Sequence, residues 1–362
     1  MAGGGPDADA RASHRRALRR TFYRKADADV PDDVLRGLPA AKAQVAAESG
    51  AALRREVERV LGVAPLAVVL LPQAGTFHAV FRVTGGEGLG WYARTGVPSL
   101  PAPALHFEIE AWAAPTARAA GLPVPAIRHV DLARRRLPFD VEIVDAAPGG
   151  PLPDAPGPAP LAALGRTVRG LHAVTIDGFG LLDPPPGPGA GTPRGACDSW
   201  PDFLLANLDA HVAACRGDGA LSAQDAAAAL ACHRDAEPWL GTVTGALLHG
   251  DLANRNVLVA DGELSAILDW EDALAGDPLF DVACWGTFVG NHERRADFLT
   301  GYAGSPTLSA EAEFRYWLYY LRIMLAKTVH RRRFGWAATD RIPAAARLRP
   351  ALDAVRRLAR TH

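Results

Sequence analysis

One part of the chain changes from helical to β-type patterning and back, and this change constrains the fold most. The stretch LAVVLLPQAGTFHAVFRVTGGEGLGWYARTG (residues 66–96) consists of short β-rich runs separated by turn residues, which predicts a meander of about three antiparallel strands. Helical periodicity precedes it between residues 13 and 61 and returns in the second half of the chain. Because the strand and helix signals occupy separate parts of the chain, we expect an α+β fold.

The length of the chain predicts two lobes. A chain of 362 residues exceeds the usual size of one hydrophobic core. A Pro- and Gly-rich segment between Ala146 and Pro160 is typical of a connector. We therefore predict a helical N-terminal extension (1–62), a small β-rich N-lobe (63–147) and a larger, mainly helical C-lobe (148–362).

Composition excludes several classes of partner. The chain has 39 Lys and Arg residues against 40 Asp and Glu residues, which argues against a surface for nucleic acid or membrane. No apolar run is long enough to span a bilayer, and the N-terminus lacks signal-peptide character, so we expect a cytoplasmic protein. The four cysteines have no zinc or disulfide spacing. The sequence does not indicate the oligomeric state.

Three oxygen-bearing side chains follow short apolar runs in LLHGDLANRNVLVADGELSAILDW (residues 247–270). Asp251 precedes Asn256 by five positions and Asp269 by eighteen. The runs on either side of DGE predict a hairpin, whose open ends would bring the three side chains to one point. Hard oxygen donors of this kind suit Mg²⁺ together with substrate phosphates. The pattern therefore indicates phosphoryl transfer, in which positioning and electrostatics supply most of the catalysis.

The motifs HGDLANRN, ILDWE and GDPLFDVA together resemble the signature of the aminoglycoside phosphotransferase and choline kinase-like family. These small-molecule kinases have the bilobal protein-kinase-like fold, and the resemblance covers roughly residues 65–302. It implies that Asp251 is the catalytic base and that Asn256 and Asp269 hold Mg²⁺. It also implies that His249 and Asp281 brace the catalytic loop.

The resemblance further implies a site for ATP or GTP. Glu110, in FEIEAWAAPTARAAGLPVP, would orient the phosphate-binding cation, which is Arg94 where the family usually has lysine. The backbone of EIVDAAPGG would hydrogen-bond adenine, and the loop QAGTFHAV would cover the phosphates through N–H groups. The residues predicted to bind the nucleotide are Gly75, Thr76, Arg94, Glu110, Asp145 and Ala147.

We therefore predict a Mg-dependent O-phosphotransferase that acts on a small hydroxylated molecule, and the predicted acceptor is an aminoglycoside or a related natural-product antibiotic. Glu271 and Asp272 are the acids best placed to meet a cationic substrate. The alternatives are a metabolite kinase of choline, homoserine or ketosamine type, a protein kinase, and an inactive nucleotide-binding module, for which Arg94 is the only sign. HGD in place of H-R-D and the lack of an A-P-E segment disfavour the protein kinase.

Overall fold

A computed structural model describes residues 6–86, 88–98, 104–184, 191–240, 242–337 and 342–360. The α-helices are α1 (Pro6–Arg19), α2 (Arg24–Asp27), α3 (Asp32–Leu61), α4 (Ala104–Ala119), α5 (Pro158–Leu171), α6 (Trp200–Leu205), α7 (Leu208–Gly217), α8 (Ala223–Asp235), α9 (Glu237–Leu240), α10 (Leu279–Gly286), α11 (Arg295–Ala303), α12 (Ala310–Arg333) and α13 (Leu348–Ala359). The strands are β1 (Ala67–Leu70), β2 (Ala79–Thr84), β3 (Gly90–Thr95), β4 (Ile127–Asp131), β5 (Val141–Asp145), β6 (Gly150–Pro151), β7 (Phe179–Asp183), β8 (Arg194–Cys197), β9 (Ala246–Leu248), β10 (Val257–Ala260), β11 (Glu263–Ile267) and β12 (Leu274–Gly276). Short 3-10 helices occur at Asn254–Asn256, Trp270–Asp272, His292–Arg294 and Ala344–Arg347.

The chain divides into two compact units, which we call the sheet unit and the helical unit. The sheet unit contains residues 29–151 and 256–271, and the helical unit contains residues 1–28, 152–255 and 272–362. This division differs from the predicted boundaries in two places. The first 62 residues are shared between the units instead of forming an extension of their own, and residues 256–271 are grouped with the sheet unit. Sequence periodicity shows which residues are helical but not which surface a helix packs against.

The sheet unit is built on a five-stranded antiparallel sheet with the strand order β1-β2-β3-β5-β4. Its first three strands pair in succession, which confirms the predicted meander. Alternate residues of β2 point into the core, because successive side chains of a strand face opposite sides. Ala79, Phe81 and Val83 are at most 2% exposed.

Helix α3 covers this apolar face of the sheet. Its core residues Val45, Leu53 and Val57 recur at helical spacing and pack with Trp91 and Phe139 from the sheet side. Leu53 and Val57 are at most 1% exposed. The helix ends at Gly62, which has a φ of 70° and a backbone N–H that donates to the Glu58 carbonyl oxygen. Burial of this stripe explains why residues 29–62 belong to the sheet unit.

Strands β10 and β11 form an antiparallel hairpin within the same unit, which confirms the predicted hairpin. The turn residues Asp261 and Gly262 have φ values of 51° and 82°, as a tight two-residue hairpin turn requires. Strand β10 also pairs with β6. The hairpin thereby places Asn256 and Asp269 at its open end, on the sheet unit.

The helical unit combines helices with a four-stranded sheet of order β8-β7-β12-β9. Many side chains of helix α12 are buried, and Tyr316, Leu318 and Tyr319 are fully buried. Helices α5 and α11 cross at Gly165 and Gly301, where an added Cβ atom would collide with the backbone of the other helix. None of the helices within the described ranges has a stretch long and apolar enough to cross a membrane. The four cysteines are free thiols.

Candidate active site

The loop that carries Asp251 follows β9 in the helical unit and requires glycine at its second position. Gly250 has a φ of 80°, and a Cβ atom there would collide with the carbonyl oxygen of Asp272. The backbone N–H of Asp251 donates to Nδ1 of His249 at 3.3 Å. The collision of an added Cβ atom with the Asp272 carbonyl oxygen explains why glycine stands between His249 and Asp251 in HGD.

Asp281, at the start of α10, stabilises this loop through hydrogen bonds to its backbone. Its carboxylate accepts the backbone N–H groups of His249 at 2.7 Å and Gly250 at 2.9 Å. Nε2 of His172 lies 3.2 Å from the same carboxylate. Burial opposes ionisation, but these hydrogen bonds outweigh it and hold the pKa of Asp281 below its usual range. This is the geometry that the predicted bracing role requires.

Asp251 is 2% exposed and lies between two cations. Its Oδ2 atom accepts hydrogen bonds from Nζ of Lys25 at 3.1 Å and from Nη2 of Arg255 at 2.7 Å. Burial by itself raises the pKa of Asp251, but Lys25, Arg255 and Lys327 outweigh burial and keep it well below its usual range. Asp251 is therefore an ionised acceptor at neutral pH.

The sheet unit holds a second cluster of charges, centred on Arg94 of β3. The guanidinium contacts Glu110, Glu142 at 3.1 Å, Asp269 at 3.1 Å and Glu271 at 2.5 Å. Burial alone lowers the pKa of Arg94, but the four carboxyl groups outweigh it and raise the pKa well above its ordinary value. A planar five-donor guanidinium can contact all four groups at once, which a lysine ammonium cannot do equally well.

The carboxyl groups of this cluster are hard to ionise together. Burial, reinforced by Asp269 and Glu271, raises the pKa of Glu110 to about 7 in spite of Arg94. Burial and then the charge of Glu110 raise the pKa of Glu142 well above its ordinary value. Glu142 is not among the site residues that the sequence predicted. Its one available signal was an acid in the apolar strand VEIVD, which pairs in register with Arg94.

The predicted metal ligand Asp269 has a φ of 69° and a side chain that is 28% exposed. Carboxylate oxygens of Glu110, Asp269 and Glu271 lie within 4.8 Å of one another. Asn256 is 5% exposed, and its carbonyl oxygen accepts the N–H of Leu268 at 2.8 Å. Asn256 and Asp269 belong to the sheet unit and Asp251 to the helical unit, so their convergence on one ion stays a prediction.

The acids predicted to meet a cationic substrate lie in buried ion pairs. Glu271 contacts Arg94 and lies 3.1 Å from Nδ1 of His78. Asp272 accepts a hydrogen bond from Lys25 at 2.9 Å. A substrate contact by either acid would therefore compete with these pairs.

The loop expected to cover phosphates is tied to α3. Gly75 has a φ of 67°, and a Cβ atom there would approach the carbonyl oxygen of His78 at 2.8 Å. Nζ of Lys42 donates to the carbonyl oxygen of Gly75 at 2.6 Å, and burial lowers the pKa of Lys42 to about 8. The loop that includes Thr76 is therefore anchored by Lys42, a residue that the sequence did not single out. Phosphate binding by its N–H groups stays a prediction.

The segment expected to bind adenine includes Asp145 and Ala147. The carboxylate of Asp145 pairs with Arg128, and its N–H donates to the Ala126 carbonyl oxygen at 2.9 Å. The next N–H, of Ala146, donates to the Gly90 carbonyl oxygen at 3.0 Å. An adenine contact at Asp145 would therefore use its carbonyl oxygen.

Comparison with known proteins shows where the chain has relatives. Residues 69–318 match the model of a family described as the phosphotransferase enzyme family. The chain is 28% identical over 206 residues to a hygromycin-B 4-O-kinase from Escherichia coli, covering 53% of this chain and 57% of that protein. It is 29% identical over 152 residues to a viomycin phosphotransferase from Streptomyces vinaceus, covering 41% of this chain and 50% of that protein. The chain thus spans about half the length of these relatives.

Solved structures with similar coordinates support the fold assignment. An aminoglycoside phosphotransferase variant in complex with AMP-PNP and hygromycin B matches with a TM-score of 0.57 at 21% identity, over 83% of this chain and 98% of that one. A structure described as a putative fructosamine-3-kinase from Thermobifida fusca matches with a TM-score of 0.60 at 22% identity, over 84% and 98%. At these identities the likeness shows the fold alone, and it confirms the predicted α+β, protein-kinase-like fold.

Proposed function

Since the chain belongs to the phosphotransferase enzyme family, we propose that it transfers the γ-phosphoryl group of ATP or GTP to a hydroxyl of a small molecule. The observation that carries this proposal is the buried, ionised carboxylate of Asp251 on a loop braced by Asp281. A fixed acceptor of this kind can orient an attacking hydroxyl, and orientation is a large part of catalysis in phosphoryl transfer.

The proposed transfer forms one bond to the γ-phosphorus and breaks another. The acceptor oxygen forms a bond to the γ-phosphorus, and its proton passes to the Asp251 carboxylate. The bond between the γ-phosphorus and the bridging oxygen breaks, and its electron pair leaves with the nucleoside diphosphate. The low pKa of Asp251 makes it a weak base, so its main contribution is to orient the hydroxyl and to take the proton late.

We assign Mg²⁺ to Asn256 and Asp269. The donor set fits this ion, because Asp269 offers a partly exposed carboxylate beside further carboxylate oxygens of Glu110 and Glu271. When bound, Mg²⁺ would neutralise phosphate charge. Arg94 is held by Glu110, as expected of the cation that binds the nucleotide phosphates. A cytoplasmic location, where nucleoside triphosphates are available, is part of the proposal.

The proposed acceptor is an aminoglycoside or a related natural-product antibiotic. Two relatives support this choice, since their names give hygromycin B and viomycin as substrates. A metabolite kinase of the ketosamine type is the second candidate, because a structural neighbour is described as a putative fructosamine-3-kinase. The two candidate functions share the phosphoryl-transfer chemistry and differ only in the acceptor.

A substrate panel tests this proposal. Purified protein is incubated with Mg-ATP or Mg-GTP and with hygromycin B, viomycin, other aminoglycosides, a fructosamine, choline and homoserine. We expect one class to gain the mass of a phosphoryl group. Nucleotide binding without transfer to any acceptor would favour an inactive nucleotide-binding module.

Substitution of the base gives the second test. Asp251→Asn keeps the side-chain size and removes the proton acceptor, so kcat should fall about 10²–10⁴-fold. Asp269→Ala should abolish metal-dependent transfer. The exposed turn residue Asp261 provides the control, since Asp261→Asn should leave kcat unchanged. Near-full activity of Asp251→Asn would place the base elsewhere.

A further inference from the structure

A short segment outside the matched family region, Phe22–Ala28, contributes a buried cation to the Asp251 loop. The Lys25 side chain is 4% exposed, although lysine is rarely buried unless its charge is paired. Its Nζ donates to Asp251 at 3.1 Å and to Asp272 at 2.9 Å. Lys25 and both carboxylates belong to the helical unit.

The segment is fixed to the helical unit on both sides of Lys25. The Asp27 carboxylate accepts the backbone N–H groups of Phe22 and Tyr23, each at 2.8 Å, and it lies 2.7 Å from Nε2 of His211. The Phe22 ring lies 3.5 Å from the guanidinium carbon of Arg322. These contacts anchor the segment within the helical unit.

The C-terminal end of the segment is held by a second arginine. Nη1 of Arg333 donates to the carbonyl oxygens of Ala26 at 2.7 Å and Ala28 at 2.8 Å. These bonds fix the backbone on the far side of Lys25. The ammonium position is therefore set by tertiary contacts at both ends of α2.

Lys25 affects the Asp251 carboxylate more strongly than Arg255 does. The Arg255 side chain is 57% exposed, so water and salt screen its charge, whereas Lys25 is almost fully buried. Without Lys25, the carboxylates of Asp251 and Asp272 would lie buried without their shared cation, and two like charges in one site cannot both stay ionised easily.

We propose that Lys25 is a positioning residue for the phosphotransferase reaction, which holds the Asp251 carboxylate ionised and in a fixed orientation toward the acceptor hydroxyl. The inference rests on the proposed function of Asp251, but it concerns a residue outside the segment that the family model matches. Other charged or titratable groups near Asp251 or Lys25 are Tyr23, His249, Arg255, Cys284, Lys327 and His330.

The kinetic test compares Lys25→Met with Lys25→Arg. We expect Lys25→Met to lower kcat about 10–100-fold, to change the nucleotide KM less than about threefold, and to move the acid limb of kcat/KM to higher pH. Lys25→Arg keeps the cation, so its kcat and the acid limb of its kcat/KM should stay close to those of the wild type. The control Arg20→Met removes an exposed cation five positions earlier in the chain and should match the wild type. An unchanged kcat would overturn the proposal, and an increased kcat would identify an inhibitory contact instead.

A double variant separates positioning from charge balance. Lys25→Met with Asp272→Asn removes one cation and one anion, so the buried charge is balanced again and folding should recover. If Lys25 positions Asp251, the double variant stays at least about tenfold slower than Asp272→Asn alone. Equal rates of these two variants would show that Lys25 only balances charge.

A measurement without turnover separates failure of this inference from failure of the proposed function. In ¹³C-carboxyl NMR, the Asp251 signal is assigned by its absence from Asp251→Asn. It should keep its ionised chemical shift over the whole pH range in which the wild type is folded, whereas in Lys25→Met it should titrate within that range. If wild-type protein phosphorylates no acceptor but the signal shifts, the proposed function fails while the charge effect of Lys25 stands. An unshifted signal overturns the inference whatever the substrate panel shows.

Discussion

At the scale of single residues, Asp281 shows how one buried carboxylate can order a functional loop. It is fully buried and accepts two consecutive backbone N–H groups, those of His249 and Gly250. Backbone donors of a buried loop need partners, because an unsatisfied buried N–H costs about 1–3 kcal/mol. The Asp281 carboxylate therefore stabilises the loop arrangement in which Asp251 lies beside Lys25 and Arg255.

Substitution of Asp281 should affect stability and activity together. Asp281→Ala leaves both N–H groups and His172 without this acceptor, so the free energy of unfolding should fall by about 3–5 kcal/mol. Asp281→Asn keeps one acceptor oxygen and should therefore lose less stability. Urea unfolding measures the stability, and kcat of the folded fraction measures the effect on Asp251. A native-like midpoint for Asp281→Ala would show that the loop is held by other contacts.

At the scale of secondary-structure elements, α3 determines the core of the sheet unit. Its residues Leu53 and Val57 are almost fully buried against the sheet, whereas Arg55 between them is exposed. Lys42 of the same helix bonds the loop at Gly75. Residues that precede the matched family segment thus complete the sheet unit and hold its predicted phosphate-binding loop.

Truncation of this helix face should be costly. Leu53→Ala removes buried methyl groups and leaves a cavity, so the free energy of unfolding of the sheet unit should fall by about 2–5 kcal/mol. Arg55→Ala is the matched control, with an expected change of less than about 0.5 kcal/mol because its side chain faces solvent. Thermal or urea unfolding of both variants gives the comparison. Equal effects of the two substitutions would contradict the packing of α3 on the sheet.

At the scale of the whole molecule, the chain passes between its two units four times, after residues 28, 151, 255 and 271. Among its described residues, the helical unit has three buried histidines with lowered pKa values, His211, His233 and His330. Burial is the largest cause in each case, and it brings the pKa of His233 to about 4. Each histidine is therefore buried in its neutral form.

These histidines predict acid sensitivity in a defined range. A histidine with a lowered pKa binds its proton more readily in the unfolded chain, so stability is highest above about pH 6.5 and falls as the pH drops toward 4. His233→Leu should reduce this slope by up to about 1.4 kcal/mol per pH unit between these values. Urea unfolding at a series of pH values measures it. A slope identical to that of the wild type would show that His233 is not buried neutral.

Local patterns in the sequence were sufficient to predict much of the fold, and they also supplied the candidate site residues, whose roles stay predictions. The meander and the β10–β11 hairpin follow from alternating apolar residues and from turn residues such as Asp261 and Gly262, whose effects extend over only a few positions. The spacing of Asp251, Asn256 and Asp269 can likewise be seen in the sequence without the structure. Such signals depend on neighbours in sequence, so a single chain is enough to read them.

Only the tertiary structure decided which distant residues meet. Lys25 and Asp251 are 226 positions apart, and nothing in the spacing of either indicates the pair. Glu142 joins Arg94 through strand pairing, and the first 62 residues divide between two units because their apolar faces pack on different cores. Buried ion pairs and helix packing depend on which surfaces come together, and one-dimensional periodicity does not contain that information.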